Sequence, residues 1–383
     1  MRRFQNLTLI LFVAVFFCFY SCDKKSSPEE TTQESTGPSN VILLIGDGMG
    51  LSQISSTFYF KQDGPSNFQR FNYIGLIKTS SANAKITDSA AGGTAFACGQ
   101  LTYNGAIGVD TDKQPIPNIT EHLSQSGFNT GLVATSSITH ATPAAFYAHA
   151  ASRSMNELIA EQLTESEIDI FIGGGRQFFE NRKDGLDMIR RLNENKFNVF
   201  YSIEELPALD IEQKYGVLAA PDGLPPVYEG RGDFLSNATE ISLDYLSSSQ
   251  QPFFLMIEGS QIDWGGHENN WEYLKTEMLD FDKTVGKVLD FAESHPGTLV
   301  VITADHETGG FALSGSETAG MDADDDELAP AFATGGHTAT LVPVFAYGPG
   351  AERFAGIYTS AQIYHRIIQA VEGSDGTSSI ARD

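Results

Sequence analysis

Cysteine is nearly absent from this 383-residue chain, which holds three, Cys18, Cys22 and Cys98. Only Cys98 falls inside the folded body, so no disulfide can staple that body, and its stability must come from core packing and any bound metal. Positive charge is also scarce: 24 Lys and Arg face 49 Asp and Glu, a formal net charge of −25. That excess argues against nucleic acid or an anionic membrane surface as the main partner, and no nucleic-acid binding is expected. An anionic substrate would have to be met by local cations, because the overall field repels it. A membrane-spanning run is missing as well. The apolar stretch from Leu7 to Tyr20 follows a basic start and is too short and wrongly flanked to span a bilayer.

That stretch reads instead as an export signal over residues 1–21. It ends in Ser21-Cys22 and is followed by the polar tract DKKSSPEETTQESTGPSN. The arrangement resembles a bacterial lipoprotein signal with Cys22 as the lipidated first mature residue, although Phe19 and Tyr20 sit where smaller or aliphatic residues are usual. An ordinary cleaved signal peptide is the alternative. The expected location is therefore periplasmic or on the outer membrane, through a lipid anchor, with residues 22–39 as a flexible tether.

What remains is apolar enough, at 41% hydrophobic residues, for one large domain over residues 40–383. Near-continuous apolar runs recur at 41–46, 130–135, 168–175, 253–259, 299–305 and 342–348. Helical patterns lie between or after them at 184–195, 242–249, 270–295 and 360–373. Buried strands alternating with helices predict an α/β fold: three α/β/α layers around a large, mostly parallel sheet. There is no internal repeat. The acidic segment MDADDDELA (321–329) lacks the central glycine of a calcium loop and reads as a solvated loop.

Ligands of such sheets bind beyond the carboxyl ends of the strands. Those ends carry a biased set of residues here: Asp47, then His140 and Thr142, then Glu258, Asp263 and His267, then Asp305 and His306. His337 stands just before the run at 342–348. Aspartate and histidine without thiolates suit catalytic zinc, and an oxygen-rich set suits magnesium. His122, His149, His295 and His365 lack acidic neighbours at strand ends and read as ordinary histidines. The stretch GDGMG (46–50) could be taken for a dinucleotide loop, but Leu51 stands where the last glycine of G-x-G-x-x-G belongs. Its glycines read better as clearance around Asp47. In KITDSAAGGTAFACG (85–99), Ser89 falls at a helix start, where free N–H groups favour an anion; either Asp88 or Ser89 could also serve merely as a cap.

In order along the chain, GDGMG, TDSAAGGTA, HATPAAFYAHAASR, EGSQIDWGGH, TADH and GGH are similar to the motifs of the alkaline phosphatases, from Asn40 to about Gly350. The resemblance implies a metal-dependent phosphomonoesterase with Ser89 as the nucleophile that becomes phosphorylated. It implies one zinc held by Asp47, Asp305 and His306 beside the Ser89 oxygen, and a second held by Asp263, His267 and His337. A third ion, usually magnesium, would use Asp47 with Thr142 and Glu258, and His140 stands at the same site. Arg153 would clamp two phosphate oxygens, with Asp88 orienting it. No Ser–His–Asp arrangement is present to activate the serine, so coordination to zinc would lower its pKa instead.

The chain departs from the family in three places. His140 stands where some bacterial members carry Asp and animal members His, which leaves the magnesium identity of the third site open. Trp264 replaces a Lys or His near the phosphate and could stack on an aromatic leaving group or serve packing alone. Only positions 307–336 separate His306 from His337, where many relatives carry a long insertion that contributes to their dimer, so a homodimer here is possible but its geometry is not given. Phosphodiesterase activity is disfavoured by Arg153. A sulfatase is disfavoured by the lack of C/S-x-P-x-R, and a mutase by the export signal. A catalytically dead metal-binding lipoprotein would have lost a ligand or the nucleophile, and none is missing.

Overall fold

The computed structural model describes residues 37–180, 182–315 and 328–373. The leader, Cys22, most of the tether and residues 321–327 of the acidic segment lie outside the described residues.

Ten strands form the central sheet: β1 (Asn40–Gly46), β2 (Tyr73–Lys78), β3 (Asn129–Ser137), β4 (Ile170–Gly174), β5 (Phe197–Phe200), β6 (Lys214–Leu218), β7 (Phe253–Gly259), β8 (Thr298–Thr303), β13 (Val342–Tyr347) and β14 (Gly356–Thr359). Two small ribbons pair β9 (Glu307–Thr308) with β12 (His337–Thr338), and β10 (Phe311–Gly315) with β11 (Leu328–Phe332). The sheet order is β14-β2-β13-β8-β1-β7-β3-β4-β6-β5. Every neighbouring pair is parallel except the two that involve β13, which runs against both β2 and β8.

All six apolar runs in the sequence became strands of this sheet, and they are the ones buried along nearly their whole length. The four that the sequence did not announce lie at the two flanks. Strands β2 and β14 at one edge and β5 at the other are short and partly exposed, so they lack the continuous apolar signature of a doubly covered strand. β6 is buried for four of its five residues but is too brief to stand out.

The layering follows from crossover handedness. The chain steps one way along the sheet from β3 to β4 to β5, then returns from β6 to β7 to β8. Right-handed crossovers therefore place helices Asn156–Leu163 and Met188–Glu194 on one face and helices Phe234–Ser247 and Trp271–Ser294 on the other. The last two pack against each other, as that requires. The helical patterns seen in the sequence start and stop on recognisable signals. Asn270 caps the Trp271–Ser294 helix by accepting from the Tyr273 N–H, and Gly373, at φ +64°, ends the Gln362–Glu372 helix.

This topology sets where chemistry can occur. β1 lies between β7 and β8, with Ile45 in register with Glu258 on one side and Thr303 on the other. Side chains that follow these three strands emerge together at one edge. Because β13 runs the opposite way, the residues preceding it arrive at that same edge, which is how His337 reaches ligands that follow other strands.

Candidate active site

Asp47, the residue after β1, is completely buried, and neither carboxylate oxygen has a hydrogen-bond partner. The turn that delivers it needs glycine at position 48, where φ is +74° and an added Cβ would come within 2.8 Å of both the Asp263 Cα and the Thr308 Oγ1. Glu258 is likewise fully buried. Its Oε2 accepts from Ser136 Oγ (3.1 Å) and Ser260 Oγ (2.5 Å), while Oε1 is unpartnered. Asp305 Oδ1 accepts from the Gly48 N–H at 3.3 Å, and its Oδ2 lies 3.1 Å from His306 Nε2 without hydrogen-bond alignment.

The histidines are held so that one nitrogen of each is committed. His337 Nδ1 lies 2.9 Å from the Thr87 carbonyl and His267 Nδ1 lies 2.8 Å from the Gly335 carbonyl. A carbonyl can only accept, so both Nδ1 atoms carry protons and both rings aim Nε2 inward. Those two Nε2 atoms sit 3.1 Å apart, that of His267 at 3.3 Å and that of His337 at 3.6 Å from the carboxylate of Asp263. His306 is fully buried and stacks on His337 at a centroid distance of 3.5 Å; its Nε2 lies 3.3 Å from Ser89 Oγ and 3.5 Å from Asp47 Oδ1.

Ser89 opens the helix Ser89–Cys98 but does not cap it. Asp88 does, its Oδ1 accepting from the N–H groups of Ala91 and Gly105, both at 3.0 Å. The serine hydroxyl is thereby left free at a helix N-terminus. The same Asp88 takes a 3.2 Å hydrogen bond from Arg153 Nη1 through its other oxygen. The helix can approach so closely because it is built from small residues. A Cβ at Gly92 would sit 2.8 Å from the Asp305 Cβ, and one at Gly93 would sit 3.2 Å from the Thr142 Cα.

His140 behaves differently from the other three histidines. Its Nε2 accepts from Arg153 Nη2 at 3.1 Å, so the proton resides on the buried and unpartnered Nδ1. Burial, and then the charge of Arg153, push its pKa down to about 4, which keeps the ring neutral. Trp264 meets His140 edge-on, with ring centroids 6.2 Å apart, and its far edge fills the space over Gly223, where a Cβ would approach to 2.6 Å. Thr142 Oγ1 is buried and unpartnered.

Burial raises the Asp47 pKa well above the carboxylate range, and the charges of Asp305, Asp263 and Glu258 raise it further. Burial likewise pushes Glu258 up to about 7, against the hydrogen bonds from Ser260 and its neighbours. Asp263 is held low despite its burial by His267 and by the charges of His306 and His337. Four buried acids in one cleft, with unpaired oxygens on three of them, are unfavourable unless cations share the cleft. Among the described residues, three sets of side chains converge closely enough to hold an ion each: Asp263, His267 and His337; Asp47, Asp263 and His306; and Asp47, His140 and Glu258. The donors are oxygen and imidazole nitrogen only, which fits zinc and magnesium. Asp305 touches His306 but is not part of a compact set of three, whereas Asp263 enters two of them.

The four histidines read as ordinary do bond elsewhere: His122 to Tyr364 Oη, His149 to the Gly108 carbonyl and Glu121, His295 to the Phe291 carbonyl, and His365 to the Gly99 carbonyl. Sequence reasoning missed the residues that hold the ligands in place, namely Thr87, Ser136, Ser260 and Thr308. Thr87, Ser260 and Thr308 lie within or beside the quoted motifs, but nothing in the motifs says what the Thr87 carbonyl or the other two hydroxyls touch.

A sheet whose strand ends gather four acids and four imidazoles around a serine and an arginine defines a metal-dependent hydrolase acting on an anion. Residues 38–329 match the family model for alkaline phosphatase. Alkaline phosphatase 3 of Bacillus subtilis is 31% identical over 97% of this chain and 98% of its own length. The alkaline phosphatase of the Antarctic bacterium TAB5 is 49% identical, with a TM-score of 0.84 over 88% of this chain and all of the solved one. A variant of that enzyme has been solved with magnesium bound in its M3 site. This chain belongs to the alkaline phosphatase family, and it is a phosphoric monoester hydrolase that uses metal ions.

Proposed function

We propose that this enzyme releases inorganic phosphate from many small phosphate monoesters through a phosphoserine on Ser89, with two zinc ions and a third ion, magnesium. The observation that carries this reading is the uncapped Ser89 hydroxyl at a helix N-terminus, 3.3 Å from His306 Nε2 and beside an arginine already fixed by Asp88. Ions at the three ligand sets would supply the charge neutralisation and the lowered serine pKa that phosphoryl transfer requires. Asp263, His267 and His337 would hold one zinc, and Asp47, Asp305 and His306 the other. Asp47, Thr142 and Glu258, with the neutral His140 beside them, would hold the third ion, Asp47, Glu258 and His140 converging closely enough for one.

The Ser89 oxygen bonds to phosphorus as the phosphorus–ester oxygen bond breaks, and the serine's proton ends on the departing alcohol. Water then attacks the phosphoserine in line, giving back the hydroxyl and releasing phosphate. Arg153 spends one N–H on Asp88 and one on His140, which leaves an N–H on each terminal nitrogen for two phosphate oxygens. A monoester offers two such free oxygens besides a third, whereas a diester carries a second ester group there. Arg153→Ala should therefore lower kcat/KM on a monoester by about 10²-fold and a diester by much less, narrowing the preference. The test is hydrolysis of both ester types side by side, before and after EDTA and with zinc or magnesium restored. An unchanged monoester-to-diester ratio in the variant would count against the clamp.

The lipobox motivates a second proposal, that the enzyme is anchored to a bacterial membrane through a lipidated Cys22. Cys22→Ser, or globomycin treatment of the producing cells, should move the protein into the soluble fraction. Continued membrane association would point to a different anchor.

A further inference from the structure

Thr308 lies fully buried two residues beyond His306, in the short ribbon where β9 pairs with β12 and Thr308 stands opposite His337. Its hydroxyl donates to Asp263 Oδ1 at 2.5 Å, the short distance expected when the acceptor is a carboxylate. A hydroxyl has one hydrogen. With that hydrogen given to Asp263, only a lone pair is left to face His306 Nδ1, 3.1 Å away. His306 must then carry its proton on Nδ1 and donate it to Thr308, which leaves Nε2 bare toward Ser89, Asp305 and Asp47. One side chain thus ties together a ligand from each zinc set. Asp263 belongs to the set with His267 and His337 and reaches the set with Asp47 as well, and His306 belongs to that second set, at Ser89.

We propose that Thr308 is a positioning residue that couples the two zinc sites through the directed chain His306 Nδ1–H to Thr308 Oγ–H to Asp263 Oδ1. The proposal rests on the ligand assignment given above. Removing the hydroxyl frees two ligands at once. His306 can then take the other tautomer, with a proton on the nitrogen that should bind metal, and Asp263 can rotate its carboxylate. Gly48 closes over the hydroxyl, since a Cβ there would come within 2.8 Å of it, so the bond sits in a sealed contact. Hydroxyls and carbonyls that hold metal ligands typically contribute about 10- to 100-fold in metal affinity.

The test uses the full chain, stripped of metal and titrated with zinc against a chromophoric chelator. Thr308→Val keeps the shape and removes the hydroxyl; Thr308→Ser keeps the hydroxyl. The expected result is a loss of about tenfold or more in zinc affinity at both sites in Thr308→Val, with Thr308→Ser within about twofold of the parent. A loss at one site only, no loss, or a serine variant as weak as the valine one would overturn the coupling. Imidazole nitrogen-15 NMR of the zinc-free parent protein, recorded at a pH where the His306 ring is neutral, gives a reading that needs no variant to fold: His306 should be the Nδ1–H tautomer, and an Nε2–H ring would defeat the proposal. Neither measurement depends on turnover. A parent chain that binds no zinc defeats the ligand assignment and this proposal together, whereas normal binding with an indifferent Thr308→Val defeats the coupling alone.

Discussion

Ser89→Ala should give a folded, zinc-binding protein that has lost at least about 10³-fold in kcat on p-nitrophenyl phosphate. The structure separates the nucleophile from the architecture. The helix Ser89–Cys98 is started by the Asp88 side chain, which accepts from Ala91 and Gly105, so its N-cap survives the substitution. Alanine is a good residue at the first helical position, and it opens only the space of one oxygen. The sole hydrogen-bond partner that Ser89 Oγ loses is His306 Nε2, a nitrogen also within reach of Asp305 and Asp47. Metal content and melting temperature should therefore stay near those of the parent, while no phosphoserine can form. Turnover close to the parent's in a zinc-loaded Ser89→Ala would remove Ser89 from the role of nucleophile.

Asp47→Asn should have the opposite profile: a metal-free protein that is more stable than the metal-free parent at neutral pH, and an enzyme without activity. The sign follows from the acids. Without ions, burial and the neighbouring charges hold the Asp47 carboxyl well above its ordinary range, and Glu258 is pushed up to about 7. Both groups keep protons in the folded chain that the unfolded chain has already released. Their contribution to folded stability therefore falls as pH rises from about 4 toward and beyond 7. His267, raised to about 9 chiefly by its hydrogen bond to Asp263, contributes stability that is present below about 6.5 and lost as pH rises through 9, which is the same direction. The melting temperature of EDTA-treated protein should fall from about pH 6.5 to pH 8, above the range in which the lowered pKa of buried His140 acts the other way, and zinc should restore it most at the upper end. Asparagine at 47 cannot ionise, so the slope should lessen, and about 1–3 kcal/mol should return near pH 7. The gain on adding zinc should shrink, because two of the three ligand sets include Asp47. A metal-free parent whose melting temperature rises over that pH range would overturn the electrostatic account.

Much of this site was legible because its residue types are improbable where they stand. Asp47, Glu258 and Asp305 each end a buried apolar run, and a carboxylate there has few structural uses. The alternation of such runs with helices was enough for the sheet. The flanking strands β2, β5 and β14 were not legible, since a strand packed on one side, or open to water along part of its length, shows no continuous apolar stretch. Asp88 was read as either a cap or a holder of Arg153, and the geometry shows that a carboxylate has oxygens for both. The grouping of ligands was harder to see. Asp263 lies within reach of two sets because its neighbours follow β1 and β8 and sit on β12, and no spacing along the chain encodes that convergence. Thr308 was invisible for the same reason, since a threonine acquires a role here only once the ribbon has set it between Asp263 and His306.

The reversed direction of β13 has a consequence for how this enzyme can vary in length. β8 leaves the sheet at the edge where β13 enters it, so the segment from Asp305 to Leu341 makes an excursion that returns to its starting side. A crossover between parallel strands would have to span the sheet and would tolerate few changes in length. An excursion carries no such constraint, and doubling it adds only about 0.6 kcal/mol of closure entropy. The β9–β12 pairing clasps its two stems, with Thr308 opposite His337. Residues gained or lost beyond that clasp reach neither His306 nor His337. Evolution is free to append material short of Gly335, whose carbonyl orients His267, for partner contacts or for surface charge, without re-tuning the metal site beneath it.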